Sequence, residues 1–184
     1  MPFSTTAIDG LIVLGRPVHT DERGFFREVF RLSELEEAIG RPVRFLQANH
    51  SRSTFGVLRG LHAESWEKLV YVPHGDVFTA VADIRPDSPT FGCVDTFTFK
   101  EGERPTLFLP AGVAHGYCVL SFSADYVYQV SAYYHATDTR AVAWDDPDLR
   151  VPWPIAEPVL SARDRLNPTL RQLFPERYRT RVGV

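Results

Sequence analysis

Gly56-Val57-Leu58-Arg59-Gly60-Leu61-His62 reads as a strand, apolar enough to be half buried, that delivers an arginine and a histidine three residues apart. Side chains alternate along an extended chain, so Arg59 and His62 face opposite sides unless a bulge intervenes. Gly60, between them, is the residue type at which a bulge or a close backbone approach is made. The layout suits an anion-binding cation and a proton-transfer base near one ligand. The plainer alternative is a half-buried strand with one satisfied histidine and one surface arginine.

Outward from this stretch, short strand-like runs follow one another, at residues 11–14, 25–30, 68–72, 77–84, 96–100, 106–109, 117–120 and 126–134. Gly, Pro, Asn and Asp punctuate them, which is the pattern of a sandwich or barrel. A helix is expected over 33–39, with Ser33 as N-cap, Glu36 completing a capping box and Gly40 as the stop. A second is expected over 167–174, with Pro168 near its first turn. The expected fold is mainly β, a jelly-roll barrel with a few peripheral helices. No repeat, low-complexity tract or linker divides the chain, so residues 1–184 are expected to form one domain.

The 184 residues carry a formal charge of −3, which argues against nucleic acid as the main partner. No apolar run is long enough to span a bilayer, and Met1-Pro2-Phe3-Ser4-Thr5 shows no signal-peptide pattern. Cys93 and Cys118 form no C-x-x-C pair and read as small apolar core residues in a reducing compartment. A cytoplasmic protein is expected.

Six histidines supply the usual acid–base chemistry near neutral pH: His19, His50, His62, His74, His115 and His135. In a jelly roll they raise the metal-binding cupin pattern, whose second half stands here as Pro110-Ala111-Gly112-Val113-Ala114-His115. The first half fails, because His62-Ala63-Glu64 has one imidazole where two are needed. A metal-free barrel with a lone base fits better. Asp83 and Asp164 each follow an apolar stretch, where an Asp commonly serves a turn; either could instead orient an imidazole. Lys68 opens Leu69-Val70-Tyr71-Val72 as a solvated edge charge or as an inward stabiliser of a developing oxyanion. Tyr128, Tyr133 and Tyr134 could pack, or one could supply a catalytic hydroxyl.

Nine motifs in order now carry a resemblance. They are Asp21-x-Arg23-Gly24-x-Phe26, Gln47-x-Asn49-His50-Ser51, Gly56 to His62, Lys68-Leu69-Val70, Asp83-Ile84-Arg85 with Ser88-Pro89-Thr90-Phe91-Gly92, Pro110 to Gly116, Tyr133-Tyr134, Trp144-Asp145-Asp146-Pro147 and Leu160-Ser161-Ala162-Arg163-Asp164. From about residue 8 to 175 the chain resembles the dTDP-4-dehydrorhamnose 3,5-epimerases, dimeric metal-free cupins acting on dTDP-linked 4-keto-6-deoxy sugars without a cofactor. The resemblance implies that His62 is the base, Asp164 its orienting carboxylate and Tyr128 the acid on the opposite face. It puts Lys68 by the C4 oxygen, pairs His115 with Asp83 near the sugar, and lines the pocket with Tyr134. Gln47, Asn49 and Arg59 would hold nucleotide and pyrophosphate, with Arg163 also on the substrate. Arg23 and Phe26 would cross to the partner subunit of a homodimer, one of the adjacent Phe25 and Phe26 filling the home barrel.

The chain departs from that family between His62 and Lys68, where Ala63-Glu64-Ser65-Trp66-Glu67 replaces a longer loop, and at Tyr71 and His74, where arginines are common. Glu64 and Trp66 either reshape the sugar pocket or form a shortened surface turn. One base can invert both C3 and C5 only if the ring turns over between transfers. The retained acid–base set points to both carbons, while Trp66 folded inward would block the second. Two other readings are a nucleotide-sugar-binding cupin without activity and a cupin 3,4-ketoisomerase.

Overall fold

The structure, a computed structural model, describes residues 3–100, 102–135, 137 and 139–178. Its strands are β1 (Phe3–Thr5), β2 (Ile12–Leu14), β3 (His19–Asp21), β4 (Gly24–Phe26), β5 (Gln47–Thr54), β6 (Leu58–Glu64) and β7 (Lys68–His74), followed by β8 (Val77–Asp83), β9 (Val94–Phe99), β10 (Thr106–Leu109), β11 (Val113–Val119), β12 (Ser123–Val130) and β13 (Thr139–Ala141). Helix α1 (Leu32–Ile39) precedes β5; α2 (Leu170–Leu173) and α3 (Pro175–Tyr178) close the described chain.

Two antiparallel sheets, ordered β1-β2-β10-β7-β12-β5 and β13-β6-β11-β8-β9, enclose one core, while β3 and β4 form a separate hairpin. Alternation decides which side chains meet inside. Val70 and Val72 of β7, Val77 and Val81 of β8, Val113, Tyr117 and Val119 of β11 and Tyr126 of β12 pack together between the sheets. The opposite face of the first sheet sends Leu69 and Phe108 against Leu35 of α1. Ala80, Ala82 and Ala114 of the second lie against Leu170 and Phe174. Covered on both faces, β11 is buried at every position, which explains its run of small and apolar residues. This is the jelly-roll architecture expected. Among the described residues no helix is long and apolar enough to cross a membrane.

Several boundaries differ from expectation. Helix α1 starts at Leu32 after Arg31, with no side-chain cap, so Ser33 is not the N-cap. Glu36 cannot complete a box there, since its carboxylate accepts from the Val43 backbone N–H. The stop at Gly40 is as read, with φ 72°. The second helix begins only at Leu170, because Thr169 and Gln172 form a capping box there, and a 3₁₀ turn occupies Asp164–Leu166. The strand expected at 25–30 ends at Phe26, and β12 ends at Val130, which leaves Tyr133 and Tyr134 beyond it. Phe25 and Phe26 are 56% and 69% exposed, so neither fills the home barrel. Cys118 is buried in the core, which pushes its thiol up to about 11.

The expected bulge in β6 is present. His62 pairs with His115 and Arg59 with Tyr117, so Gly60 and Leu61 together stand opposite Gly116. Directly opposed residues share a face. Tyr117 points into the core, and the same parity turns His115 inward, so Arg59 and His62 are both aimed inside. Gly60 has φ 139°, and a Cβ there would lie 2.5 Å from the Gly116 Cα. Strain and overlap each cost on the order of 1–3 kcal/mol. Gly60→Ala is therefore expected to lower Tm by roughly 4–8 °C or more, from about 2–4 °C per kcal/mol in a chain of this size. A melting curve unchanged within a degree would show that the strands do not meet this closely.

Candidate active site

The inner face changes character where β5, β6, β7, β11 and β12 converge. Apolar contacts give way to Gln47 and Asn49 on β5, Arg59, His62 and Glu64 on β6, Lys68 on β7, His115 on β11 and Tyr128 on β12. A cavity of about 170 Å³ opens there, lined by Asn49, His62, Glu64, Trp66, Tyr128, Val130, Tyr134, Thr139 and Arg163.

His62 is held by a long-range contact. Its Nε2 lies 2.6 Å from Oδ1 of Asp164, which starts the 3₁₀ turn and is 4% exposed. Burial by itself would raise the Asp164 carboxyl; hydrogen bonds from His62, Ser161 and the Gly60 backbone outweigh it and hold the group below its ordinary value. An ionised Asp164 accepts the Nε2 proton, which leaves the lone pair of neutral His62 on Nδ1. That is the arrangement of an oriented base.

Tyr128 stands across the cavity, paired with Asn49 and Val70. Burial, and then the Glu64 charge, push its hydroxyl above the usual phenol value, so it stays a protonated donor near neutral pH. Lys68 is 3% exposed, with Nζ 6.0 Å from the Tyr128 ring centroid and 3.0 Å from His115 Nδ1. It is also ion-paired with Glu64. Burial drives the Lys68 ammonium down while Glu64 opposes the fall. His115 is held well below its usual range by burial and then by the Lys68 charge, so it accepts as a neutral ring. Stacked Tyr126 and Tyr117, 3.9 Å apart, continue beneath it.

Of the other residues singled out in the sequence, Gln47 donates to Asn49 Oδ1 at 2.7 Å, and its carbonyl accepts from the Tyr134 N–H. Arg59 donates to Ser53, and Arg163 to Thr139. Asp83 does not pair with His115. It is fully buried at the end of β8, where it accepts from Arg85, Ser88, Thr90 and the Arg85 backbone N–H. Those bonds outweigh burial and bring its carboxyl down to about 2. Asp83 thus serves the turn that a chain-reversing Asp commonly serves. Arg23 and Phe26 project from the β3–β4 hairpin, Arg23 bonded to Asp21, and neither reaches the cavity of its own chain.

Glu64 and Trp66 enter the site more firmly than a shortened surface turn would. Trp66 is 6% exposed and packs edge-on against Tyr134, with ring centroids 6.2 Å apart. Ser161 was not singled out on its own. Its place three residues before Asp164, a Ser-x-x-Asp turn signal, was the available clue. Among the described residues no cluster of three or more His, Cys, Asp or Glu is arranged to hold a metal ion.

Comparison with known proteins matches this arrangement to one group. The family model described as dTDP-4-dehydrorhamnose 3,5-epimerase matches residues 5–172. A dTDP-4-dehydrorhamnose 3,5-epimerase of Shigella flexneri is 42% identical over 163 residues, covering 86% of this chain and 90% of the relative. Among solved structures, the 4-keto-6-deoxy sugar epimerase NovW of Streptomyces spheroides superposes with a TM-score of 0.90 at 33% identity, covering 95% of this chain and 89% of its own. The 3,5-epimerase RmlC of Legionella pneumophila, in complex with dTDP-4-keto-L-rhamnose, gives a TM-score of 0.87 at 40% identity and covers 95% of each chain. The barrel, the motifs in their order and the length matched agree, and the chain belongs to the dTDP-4-dehydrorhamnose 3,5-epimerase family.

Proposed function

We propose that this chain is a cofactor-independent isomerase that inverts C3, and then C5, of a dTDP-linked 4-keto-6-deoxy sugar. The observation that carries the reading is the His62–Asp164 contact of 2.6 Å in a cavity that also presents the Tyr128 hydroxyl. A hydrogen α to a ketone leaves as a proton once the enolate oxygen is stabilised in a dry site. His62 Nδ1 takes the proton from C3, and the C–H electron pair moves to the C4 oxygen beside the Lys68 ammonium. Tyr128 then gives its hydroxyl proton to C3 from the other face as the enolate electrons return. Exchange with solvent restores the imidazole and the phenol. Each acid–base group is worth roughly 10²–10⁴-fold in rate. Asn49 and Arg163 on the cavity wall, with Gln47 and Arg59 beside it, suit the diphosphate and nucleotide. The cavity is smaller than the roughly 300–1,000 Å³ of typical ligand pockets, which suits the sugar ring while the nucleotide lies along the mouth.

Trp66 favours a second product reading. Its inward ring narrows the space in which a half-inverted sugar would turn over, so the reaction would stop at C3. Incubation with dTDP-4-keto-6-deoxyglucose in D₂O, followed by NMR, separates these. Deuterium at C3 first and C5 later is expected for double inversion; exchange confined to C3 after prolonged incubation assigns a 3-epimerase limited by Trp66. Deuterium at neither carbon, across several 4-keto sugars, would refute epimerisation.

The same reading includes a two-fold dimer. The β3–β4 hairpin joins neither main sheet, and Arg23, Phe25 and Phe26 stand out from it, as expected of a segment that completes a neighbour's site. Light scattering at micromolar concentration is expected to give twice the chain mass. A fully active monomer would rule out the shared site.

A further inference from the structure

Lys68 is a buried cation beside the cavity, and the cavity-wall residue that holds it is Glu64, not a part of the acid–base set. Strand β6 ends at Glu64 and β7 begins at Lys68 in the other sheet, so a three-residue crossover at 65–67 brings the two side chains together as an ion pair. Glu64 lines the cavity, and Lys68 is ion-paired with it. The connection is pinned at several points. The Glu64 carbonyl accepts from the Gly112 N–H at 2.8 Å, and Thr139 pairs with Glu64 in β13. Glu67 donates its N–H to Ser131 Oγ and accepts from the Ser131 N–H, while its carboxylate is ion-paired with Arg41.

We propose that Glu64 is a positioning residue that, with His115, fixes the Lys68 ammonium so that its remaining N–H faces the substrate's carbonyl oxygen. This rests on the epimerase reading above and adds a role for the residue that enters the shortened connection. An ammonium has three N–H donors. His115 Nδ1 accepts one at 3.0 Å, and the Glu64 carboxylate, ion-paired with Nζ, occupies the direction of a second. The third is left for a charge that develops at the C4 oxygen. The groups facing Lys68 from the surrounding strands are Glu64 and His62 on β6, neutral His115 on β11 and Tyr128 on β12, while its direct partners on β10 and β12 are the apolar Leu109 and Val130. Glu64 is therefore the counter-ion that opposes the burial which otherwise favours neutral Lys68. A neutral amine would offer the enolate a weak hydrogen bond in place of a charge.

The sequence makes a direct test clean, because Lys68 and Lys100 are its only lysines. In protein labelled with ¹³C at lysine Cε, with Lys100→Arg to assign the signals, Lys68 is expected to titrate at least about one pH unit lower in Glu64→Gln than in wild type. The rate depends on the charged form, so it is lost as pH rises through the Lys68 pKa. The alkaline limb of kcat should shift down by the same interval, with kcat near pH 8 falling about 10-fold or more and KM little changed. Glu64→Asp should restore the limb in large part. An unshifted Lys68 titration with an unshifted alkaline limb would overturn the role, as would a faster Glu64→Gln enzyme. The NMR titration needs no substrate, so it stands if the wild type proves inactive on every 4-keto sugar; that outcome would sink the epimerase reading while leaving the ion pair measured.

Discussion

The close approach of Gly60 to Gly116 is the constraint on which the site depends. Two residues of β6 spanning one of β11 put Arg59 and His62 on the same inner face, which plain alternation forbids. The same kink offers the Gly60 backbone N–H to Asp164, more than a hundred residues along the chain. One backbone irregularity thus turns a histidine inward and helps to fix the carboxylate that orients it. Neither glycine tolerates a side chain there without moving the other strand.

The electrostatics of the barrel follow from where the charges are buried. At an effective dielectric of about 20, unit charges about 4 Å apart attract by about 4 kcal/mol, the equivalent of roughly three pKa units. Interactions of this size compete with desolvation on even terms. For Asp164 the hydrogen bonds win and the carboxylate stays ionised. For His115 burial wins and the ring is neutral. For Lys68 burial still leads, tempered by Glu64, which leaves the ammonium sensitive to that counter-ion. Tyr128 is pushed towards the protonated form by burial and the same Glu64 charge. The cavity therefore joins an imidazole held by a carboxylate, a protonated phenol and a cation whose charge depends on a carboxylate at the end of β6.

Legibility in the sequence tracked how apolar each element is. Strands β7, β8 and β10 are legible nearly to the residue, because Lys68-Leu69-Val70, Val77 to Asp83 and Thr106 to Leu109 are covered on both faces. Gln-Ala-Asn-His-Ser-Arg-Ser-Thr, which forms β5, carries no apolar alternation that marks a strand. It is a sheet edge whose inner face meets the cavity and a tyrosine hydroxyl, so its alternation is polar on both sides. The start of α1 was misplaced because Glu36 serves the Val43 N–H rather than the helix terminus. Within the site, His62 and Gly60 stood out from local spacing alone. The choice between Asp83 and Asp164 did not, since both follow apolar runs; it took the fold to show one bonded to its own turn and the other to the imidazole. The grip of Glu64 on Lys68 depends on a three-residue crossover between the sheets whose length no periodicity announces.

In the chemistry proposed above, His62, oriented by Asp164, removes the proton. The most direct measurement is the rate of solvent deuterium entry at C3 for wild type, His62→Ala and Asp164→Asn, with dTDP affinity measured alongside. His62→Ala is predicted to abolish exchange at every carbon while dTDP binding stays within a few-fold of wild type. Asp164→Asn is predicted to slow exchange by less, because the imidazole remains but is held in a poorer tautomer. Substantial exchange in His62→Ala, with dTDP still bound, would contradict the assignment of the base.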